Sequence, residues 1–463
     1  MKKLRVLGLR VLEFSLVAVF CCYALLCESK APIVININKG VMKKISIAVN
    51  MCDSSSDDAG AIKDDIEKVI ANNLQSTYLF KTVTKDAFMQ KLNGLSHKPS
   101  FPLWKTINAQ YLLNVSVKID GNGLLRVSFV LYDVLSENPV GTFKASGEMH
   151  DWRKIAHLAA NNIYERVIGE KGYFDTKLLY VSIDRGRHGN AKYRLAMMDQ
   201  DGHDHKFLTN GDSVVLTPRL SPDGTECAYF TYRERTVNGR RIPLSASVYR
   251  YTFKNGRTEL IANFKGMTYA PRYSPDGRLL VFSLSDRGAS SIYTFNLQTK
   301  DIVRITNKRC IDTSPCFSPD GKYIVFNSDR GGTQQLYVMD ADGANVRRLT
   351  FSKGRYATPV WSPRGDWIAF TKFSADGFYI GVVHPDGTGE RMVASGHLVE
   401  GPTWSPNGRV ILFSHQNYSK KEKVFSVDIT GYNKREIPTP LNAIDPEWSR
   451  NLGPLKNEMQ LAS

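Results

Sequence analysis

Five near-copies of one turn recur along this 463-residue chain: Ser221-Pro222-Asp223-Gly224, Ser274-Pro275-Asp276-Gly277, Ser318-Pro319-Asp320-Gly321, Ser362-Pro363-Arg364-Gly365 and Ser405-Pro406-Asn407-Gly408. A sixth, worn copy lies at Ser449. Successive serines stand 53, 44, 44, 43 and 44 residues apart. A fixed period of that size marks a repeat architecture in which each repeat is one structural unit. The tetrapeptide suits a type I turn: proline second has its φ already set, serine first bonds back to the turn backbone, and glycine fourth accepts a positive φ. It therefore joins two strands.

The first of those strands reads Pro-x-aromatic-Ser, as in Pro359-Val360-Trp361-Ser362 and Pro402-Thr403-Trp404-Ser405. The second is a short apolar run at residues 227–230, 279–282, 323–326, 367–370 and 410–413. A third strand such as 335–339 and a fourth such as 346–350 complete most units. Helical repeats would need apolar residues at 3.6-residue spacing, whereas these runs are short, β-branched and aromatic. Four short strands per unit of roughly 40–50 residues, six times over, predict an all-β six-bladed β-propeller. Residues 177–182 have the second-strand pattern with no turn before them, and Pro446 to Ser449 have the first-strand pattern with nothing after. The C-terminal strand is thus expected to be the inner strand of a blade whose other three strands come from residues 178–208, closing the ring and hiding both of its edges.

Ahead of the repeats the texture changes. Lys2, Lys3, Arg5 and Arg10 precede a mostly apolar stretch at 14–26, the layout of a secretory signal. That stretch is short of the ~20 residues that span a bilayer as a helix, so cleavage, near Ser29, is favoured over anchoring. Of the seven cysteines, Cys21, Cys22 and Cys27 would leave with the signal. Cys310 and Cys316 flank one inter-blade loop and are candidates for a bridge in an oxidising compartment; buried free thiols are the favoured reading for them and for Cys52 and Cys227. No CxxC pair points to structural zinc.

Residues 30–170 mix strand-like segments at 34–37, 45–49 and 111–117 with an alternating strand that turns Leu125, Val127, Phe129 and Leu131 inward. One helix gathers Ile62, Ile66, Val69, Ile70 and Leu74 on a face, and a closing helix does the same with Trp152, Ile155, Ala159, Ile163 and Val167. The expected organisation is a signal peptide over 1–29, a smaller α/β domain over 30–170, the propeller over 171–452 and a disordered tail over 453–463.

These features together resemble the TolB family, the periplasmic component of the Tol-Pal system of Gram-negative bacteria. The likeness rests on the Ile35-x-Ile37-x-x-Gly40 opening, the junction Lys171-Gly172-Tyr173-Phe174-Asp175-Thr176-Lys177, the run of Ser-Pro-Asp-Gly blades and the Trp448-Ser449-Arg450-Asn451-Leu452 terminus. The resemblance implies a monomeric periplasmic binding protein with no chemistry and no cofactor of its own. It would hold the peptidoglycan-associated lipoprotein Pal on one end of the propeller and engage TolA through an N-terminal arm that includes Ile35, Ile37 and Gly40. Other outer-membrane or peptidoglycan-associated proteins are further candidate partners. Contact with the membrane would run through partners, in support of envelope integrity and cell division. The Pal-facing residues it implies lie in the loops leading into the inner strands: Met267, Thr268, Ala270, Asp312, Thr313, Tyr356, Thr358, Glu400 and Asp445. Of these, Ala270 and Thr313 match the family pattern best.

Rival readings are weaker. Propeller peptidases keep their nucleophile in a hydrolase domain with a Gly-x-Ser-x-Gly elbow, and this sequence has no such pentapeptide. A propeller lyase or hydrolase would want converging His and carboxylate ligands. His203 and His205, in Asp201-Gly202-His203-Asp204-His205, instead decorate a solvated hairpin turn. The net charge of +16 falls to about +14 without residues 1–29. With an export signal that charge suits an acidic protein partner, not nucleic acid.

Overall fold

The computed structural model describes residues 44–52, 58–186, 191–237, 240–264, 267–286, 288–307 and 309–450, without the side chains of 58–59, 232–246, 267–270 and 286. The signal, the arm residues Ile35, Ile37 and Gly40, and the tail from 453 lie outside the described residues.

Strands β1 (Ile45–Met51), β2 (Phe80–Thr82), β3 (Tyr111–Ile119), β4 (Leu125–Asp133) and β5 (Asn138–Gly147) form a sheet in the order β2-β1-β3-β4-β5. The two strands beside β1 run parallel to it, and the remaining pairs are antiparallel. Helices α1 (Asp58–Ser76) and α3 (Trp152–Ile168) share a core with the sheet through Ile66, Ile70, Leu74, Ile155, Ala159 and Ile163. A second cluster joins Trp104 of α2 (Phe101–Thr106) to Ala48 and Leu112. The inward set expected for β4, Leu125, Val127, Phe129 and Leu131, is buried to 1 % exposure or less.

Six four-stranded antiparallel sheets follow. Their inner strands are Val214–Leu220, Met267–Tyr273, Asp312–Phe317, Arg355–Trp361, Leu398–Trp404 and Asn442–Trp448, defining blades 1 to 6. Blade 6 pairs that last strand with Lys177–Arg185, Ala191–Asp199 and Lys206–Phe207, so the chain closes its ring as its pattern foretold. Each Ser-Pro-x-Gly turn ends an inner strand. In blade 1 the Ser221 hydroxyl donates to Asp223 at 2.6 Å and accepts from the Glu226 N–H at 3.1 Å, while Gly224 takes φ 70°. The second strands bring Phe230, Phe282, Phe326, Phe370 and Phe413 into the inter-blade core, none more than 2 % exposed.

Because the strands alternate in direction, every first-to-second and third-to-fourth turn lies on one face, called lower here. The connections leading into the inner strands lie on the upper face. The α/β domain packs on the lower side of blades 5 and 6. Tyr164 of α3, Tyr173 and Phe174 share one core with Leu412, Val424, Ile437 and Trp448. Asn433 donates to the Ser76 carbonyl and Asn407 to the Lys171 carbonyl, at 2.6 and 2.8 Å. At Gly172 a Cβ would stand 2.6 Å from Asn161 Cα, so only glycine lets the linker lie this close to α3.

The Asp201–His205 turn belongs to this junction, a correction to the solvated hairpin expected from sequence. Asp201 is half-buried and accepts from Arg153 of α3 at 2.6 Å, while Lys177 holds Asp199 at 2.6 Å. His203 is exposed, and His205 packs edge-on against Phe207. His157 on α3, 3 % exposed, meets Asn73 at 2.8 Å and points Nε2 toward Asp201 at 4.0 Å. The ligand atoms of His157, Asp199 and Asp201 lie within 4.8 Å of one another, a spacing a metal could use. Arg153 and Lys177 already neutralise the two carboxylates, so the group reads as an ion-pair latch between domains.

This latch region carries two opposed proton sites. Burial pushes His157 down to about 4, against the pull of Asp201 and Asp199, and burial pushes Asp175 up to about 6. The unfolded chain protonates the histidine near 6.5, before the folded one does. Acidification from there to about 4 therefore favours unfolding, by about 3 kcal/mol. The folded chain protonates Asp175 before the unfolded one, whose ordinary value is 3.8. Acidification over the same window thus favours folding through Asp175, again by about 3 kcal/mol. The two contributions oppose each other. Relative to the unsubstituted chain, Asp175→Asn is expected to lose stability as pH falls across this window and His157→Gln to gain it. Urea unfolding at several pH values checks both signs.

Candidate partner-binding face of the propeller

The residues expected in loops leading into the inner strands are already part of those strands. Met267, Thr268 and Ala270 fall in Met267–Tyr273, Asp312 and Thr313 in Asp312–Phe317, and Tyr356 and Thr358 in Arg355–Trp361. Glu400 and Asp445 fall in the inner strands of blades 5 and 6. Of the side chains of Met267, Thr268 and Ala270 nothing is described.

What separates the upper half of each inner strand from the lower is a bulge before its proline. The residues Thr217, Ser314, Thr358, Gly401 and Asp445 take φ of 43°, 53°, 47°, 65° and 50°, each directly before a proline. At each of these sites the pairing register with the second strand shifts. A left-handed non-glycine residue costs roughly 1–2 kcal/mol, so its repetition in four of these five blades needs compensation from neighbours. Proline contributes by bringing no N–H that the bulge would orphan.

A polar residue closes each apolar second-strand run, Thr231, Ser283, Asn327, Thr371 and Ser414, and in blades 3 to 5 it bonds at or beside a bulge. Thr371 meets the Thr358 hydroxyl at 2.8 Å and accepts the Gly401 N–H of the next blade at 3.3 Å. Ser414 accepts the Asp445 N–H at 3.0 Å, and Asp445 accepts the Thr217 N–H at 3.0 Å, carrying the chain of bonds from blade 5 through 6 to 1. Asn327 donates to Thr313 at 2.8 Å. This Phe-then-polar ending recurs in the sequence at the second strands of blades 1 to 5 but carries no turn or periodicity signal of its own. Thr217 Oγ1, Thr231 Oγ1, Ser283 Oγ and Asn327 Oδ1 are buried with no protein partner, polar capacity open to water or a ligand.

The candidate residues then divide. Thr313, Thr358 and Asp445 are half-buried around the upper channel, and Glu400 is exposed to its lumen. The confined setting, Asp445 and Glu422 together raise Glu400 above the usual carboxylate range. Asp312 and Tyr356 are 0 % exposed and act behind the surface, not on it. Asp312 binds Arg330 at 2.8 Å, and the Tyr356 hydroxyl donates to Glu390 at 2.5 Å. Cys316 is a buried thiol, the reading favoured for it from sequence.

The same face carries apolar side chains that sequence periodicity did not single out. Phe351 and Tyr418 are 73 % and 85 % exposed, the first beneath the Arg348 guanidinium and the second tilted against the His397 ring at 4.3 Å. Ile311 stands just ahead of blade 3 with 37 % exposure. Polar lumen and apolar rim together make a surface suited to a protein partner.

Comparison with known proteins agrees with this architecture. The family model for the TolB beta propeller domain matches residues 164–452, and that for the TolB amino-terminal domain matches 33–140. The Tol-Pal system protein TolB of Rickettsia felis is 49% identical over 430 residues, covering 90% of this chain and 94% of its own length. That of Rickettsia prowazekii is 48% identical over 430 residues with the same coverage. The crystal structure of TolB from Acinetobacter baumannii matches with a TM-score of 0.77 over 88% of this chain and 97% of its own, at 24% identity, a likeness of fold. On the strength of the matched domains and the near-full-length relatives, the chain belongs to the TolB family.

Proposed function

We propose that the protein is a non-catalytic periplasmic component of the Tol-Pal system, holding the lipoprotein Pal on the upper face of its propeller. The observation that carries this reading is the separation of the two faces. The α/β domain occupies the lower side at blades 5 and 6, leaving the upper mouth with Thr313, Thr358 and Glu400 around the lumen and Phe351 and Tyr418 on the rim. A mouth whose walls are fixed by blade packing loses little entropy on docking. Exposed aromatic side chains of this kind are the usual anchors of protein interfaces.

Calorimetric titration of the full-length mature chain with the soluble domain of the source organism's Pal tests the proposal. Saturable binding is expected, weakened about a hundredfold or more in a Thr313→Arg, Glu400→Arg double variant, a loss of about 3 kcal/mol. Absence of binding by the unsubstituted chain sinks the reading. We further propose that the segment over 30–40, with Ile35, Ile37 and Gly40, engages TolA and couples that contact to Pal. Deleting this segment is expected to abolish TolA binding and change Pal affinity. Two unchanged affinities would refute the coupling.

A further inference from the structure

At the lower end of the channel, where the inner strands run into their turns, lies a cavity of about 150 Å³ lined by Arg219, Arg272, Arg450, Glu447, Trp361 and Trp404 among others. It has room for several water molecules, or for one small ion with part of its hydration. Arg219, on the inner strand of blade 1, is only 6 % exposed. Its Nη1 donates to the Pro218 carbonyl at 2.7 Å and lies 3.7 Å from Glu447, too far for a hydrogen bond. Its Nε–H is buried with no acceptor. Burial, then the nearby Arg272, lower the guanidinium to about 10, which leaves it charged at neutral pH.

The ion balance is incomplete. Three arginines line the cavity against the carboxylate of Glu447, with Asp445 near enough to act on Arg219, and one Glu447 oxygen already accepts from the Thr403 hydroxyl at 3.2 Å. The indole N–H groups are spent as well, Trp404 on the Val360 carbonyl at 3.0 Å and Trp361 on that of Gly365 at 3.1 Å. What the cavity lacks is an acceptor of negative charge. A buried cation with an unmet N–H is among the costlier arrangements a fold can hold. Guanidinium forks match the oxygens of tetrahedral anions.

We propose that this lower cavity is a binding site for one small dianionic oxyanion of the phosphate class, gripped by Arg219 and Arg272 and drawn in by Arg450. Arg219 belongs to blade 1, Arg272 to blade 2, and Glu447 and Arg450 to the closing strand and the residues just after it. The anion would tie the first two blades to the last, at the seam of the ring. It sits at the opposite end of the channel from the Pal-facing mouth and does not depend on that reading.

Titration calorimetry of the full chain with inorganic phosphate, at constant ionic strength in chloride, is the direct test. One saturable site is expected. Arg272→Gln should weaken it about ten- to a hundredfold, the loss of a charge-assisted hydrogen bond. Arg272 is half-exposed, so this variant keeps the test open if Arg219→Gln fails to fold. Melting temperature provides the second readout, because phosphate also stabilises proteins without binding. The phosphate-induced rise should be larger in the unsubstituted chain than in Arg272→Gln. Absence of saturable binding, or equal phosphate affinity in the two proteins, overturns the proposal. Equal occupancy by acetate would overturn the dianion assignment.

Discussion

Replacing Trp448 by alanine is expected to lower the unfolding free energy by about 3–5 kcal/mol, the usual cost of emptying a buried aromatic site. Trp448 is 5 % exposed and belongs to the core that the propeller shares with α3. Its ring stands edge-on to Tyr173 at 5.5 Å, and its indole N–H donates to Thr176 at 2.7 Å. The substitution therefore opens a cavity at the ring seam and under the α/β domain together. Trp448→Phe keeps most of the ring contact and removes the N–H, so it should cost markedly less. Guanidinium unfolding followed by tryptophan fluorescence and by circular dichroism measures both. A loss below about 1 kcal/mol for the alanine variant would mean that the seam is held elsewhere.

Asp312→Ala is expected to be comparably destabilising, by about 3–5 kcal/mol, because it leaves a buried charge without its partner. Arg330 is enclosed by more than Asp312: its guanidinium lies 5.0 Å from the Phe326 ring centre and 5.2 Å from that of Tyr337. Combining Asp312→Ala with Arg330→Met removes the stranded cation and should recover most of the loss. A double variant no more stable than Asp312→Ala alone would show that the carboxylate matters for another reason, such as its contact with the Cys310 thiol at 3.3 Å. At temperatures where the single variant stays folded, its affinity for Pal should be nearly unchanged.

Asp312 also shows where reading the sequence stopped. The repeat period, the turn chemistry and the orphaned strand patterns at either end were enough for six blades and their closure, because each is a local or strictly periodic signal. The alternation in β4 and the helical stripes of α1 and α3 were legible for the same reason. Burial at the top of an inner strand is not periodic. Asp312 and Tyr356 look like polar loop residues in sequence and become interior ones only when a neighbouring turn brings Arg330 or Glu390 beside them. The role of Asp201 was equally hidden, since it depends on α3 docking across a long sequence gap. Phe351 and Tyr418 lacked any pattern, and their exposure follows from the path of two connections.

The seam also sets the order in which the molecule can become complete. Blades 1 to 5 are each made from one continuous stretch, so their hairpins can assemble from near neighbours. Blade 6 cannot. Its bonds from the Lys177 N–H to Ser449 and from Trp448 to Thr176 each join residues 272 apart. The entropy of closing so long a loop grows only logarithmically with its length, but contacts this distant in sequence are the slow ones. Until residues 442–448 arrive, the Lys177–Arg185 strand presents a bare edge and the core beneath the α/β domain lacks one wall. A chain cut short before that point would not be a smaller ring but an open one with two sticky ends, prone to aggregation and proteolysis. Covering the Lys177–Arg185 edge thus waits on residues 442–448, which are synthesised after every other described strand.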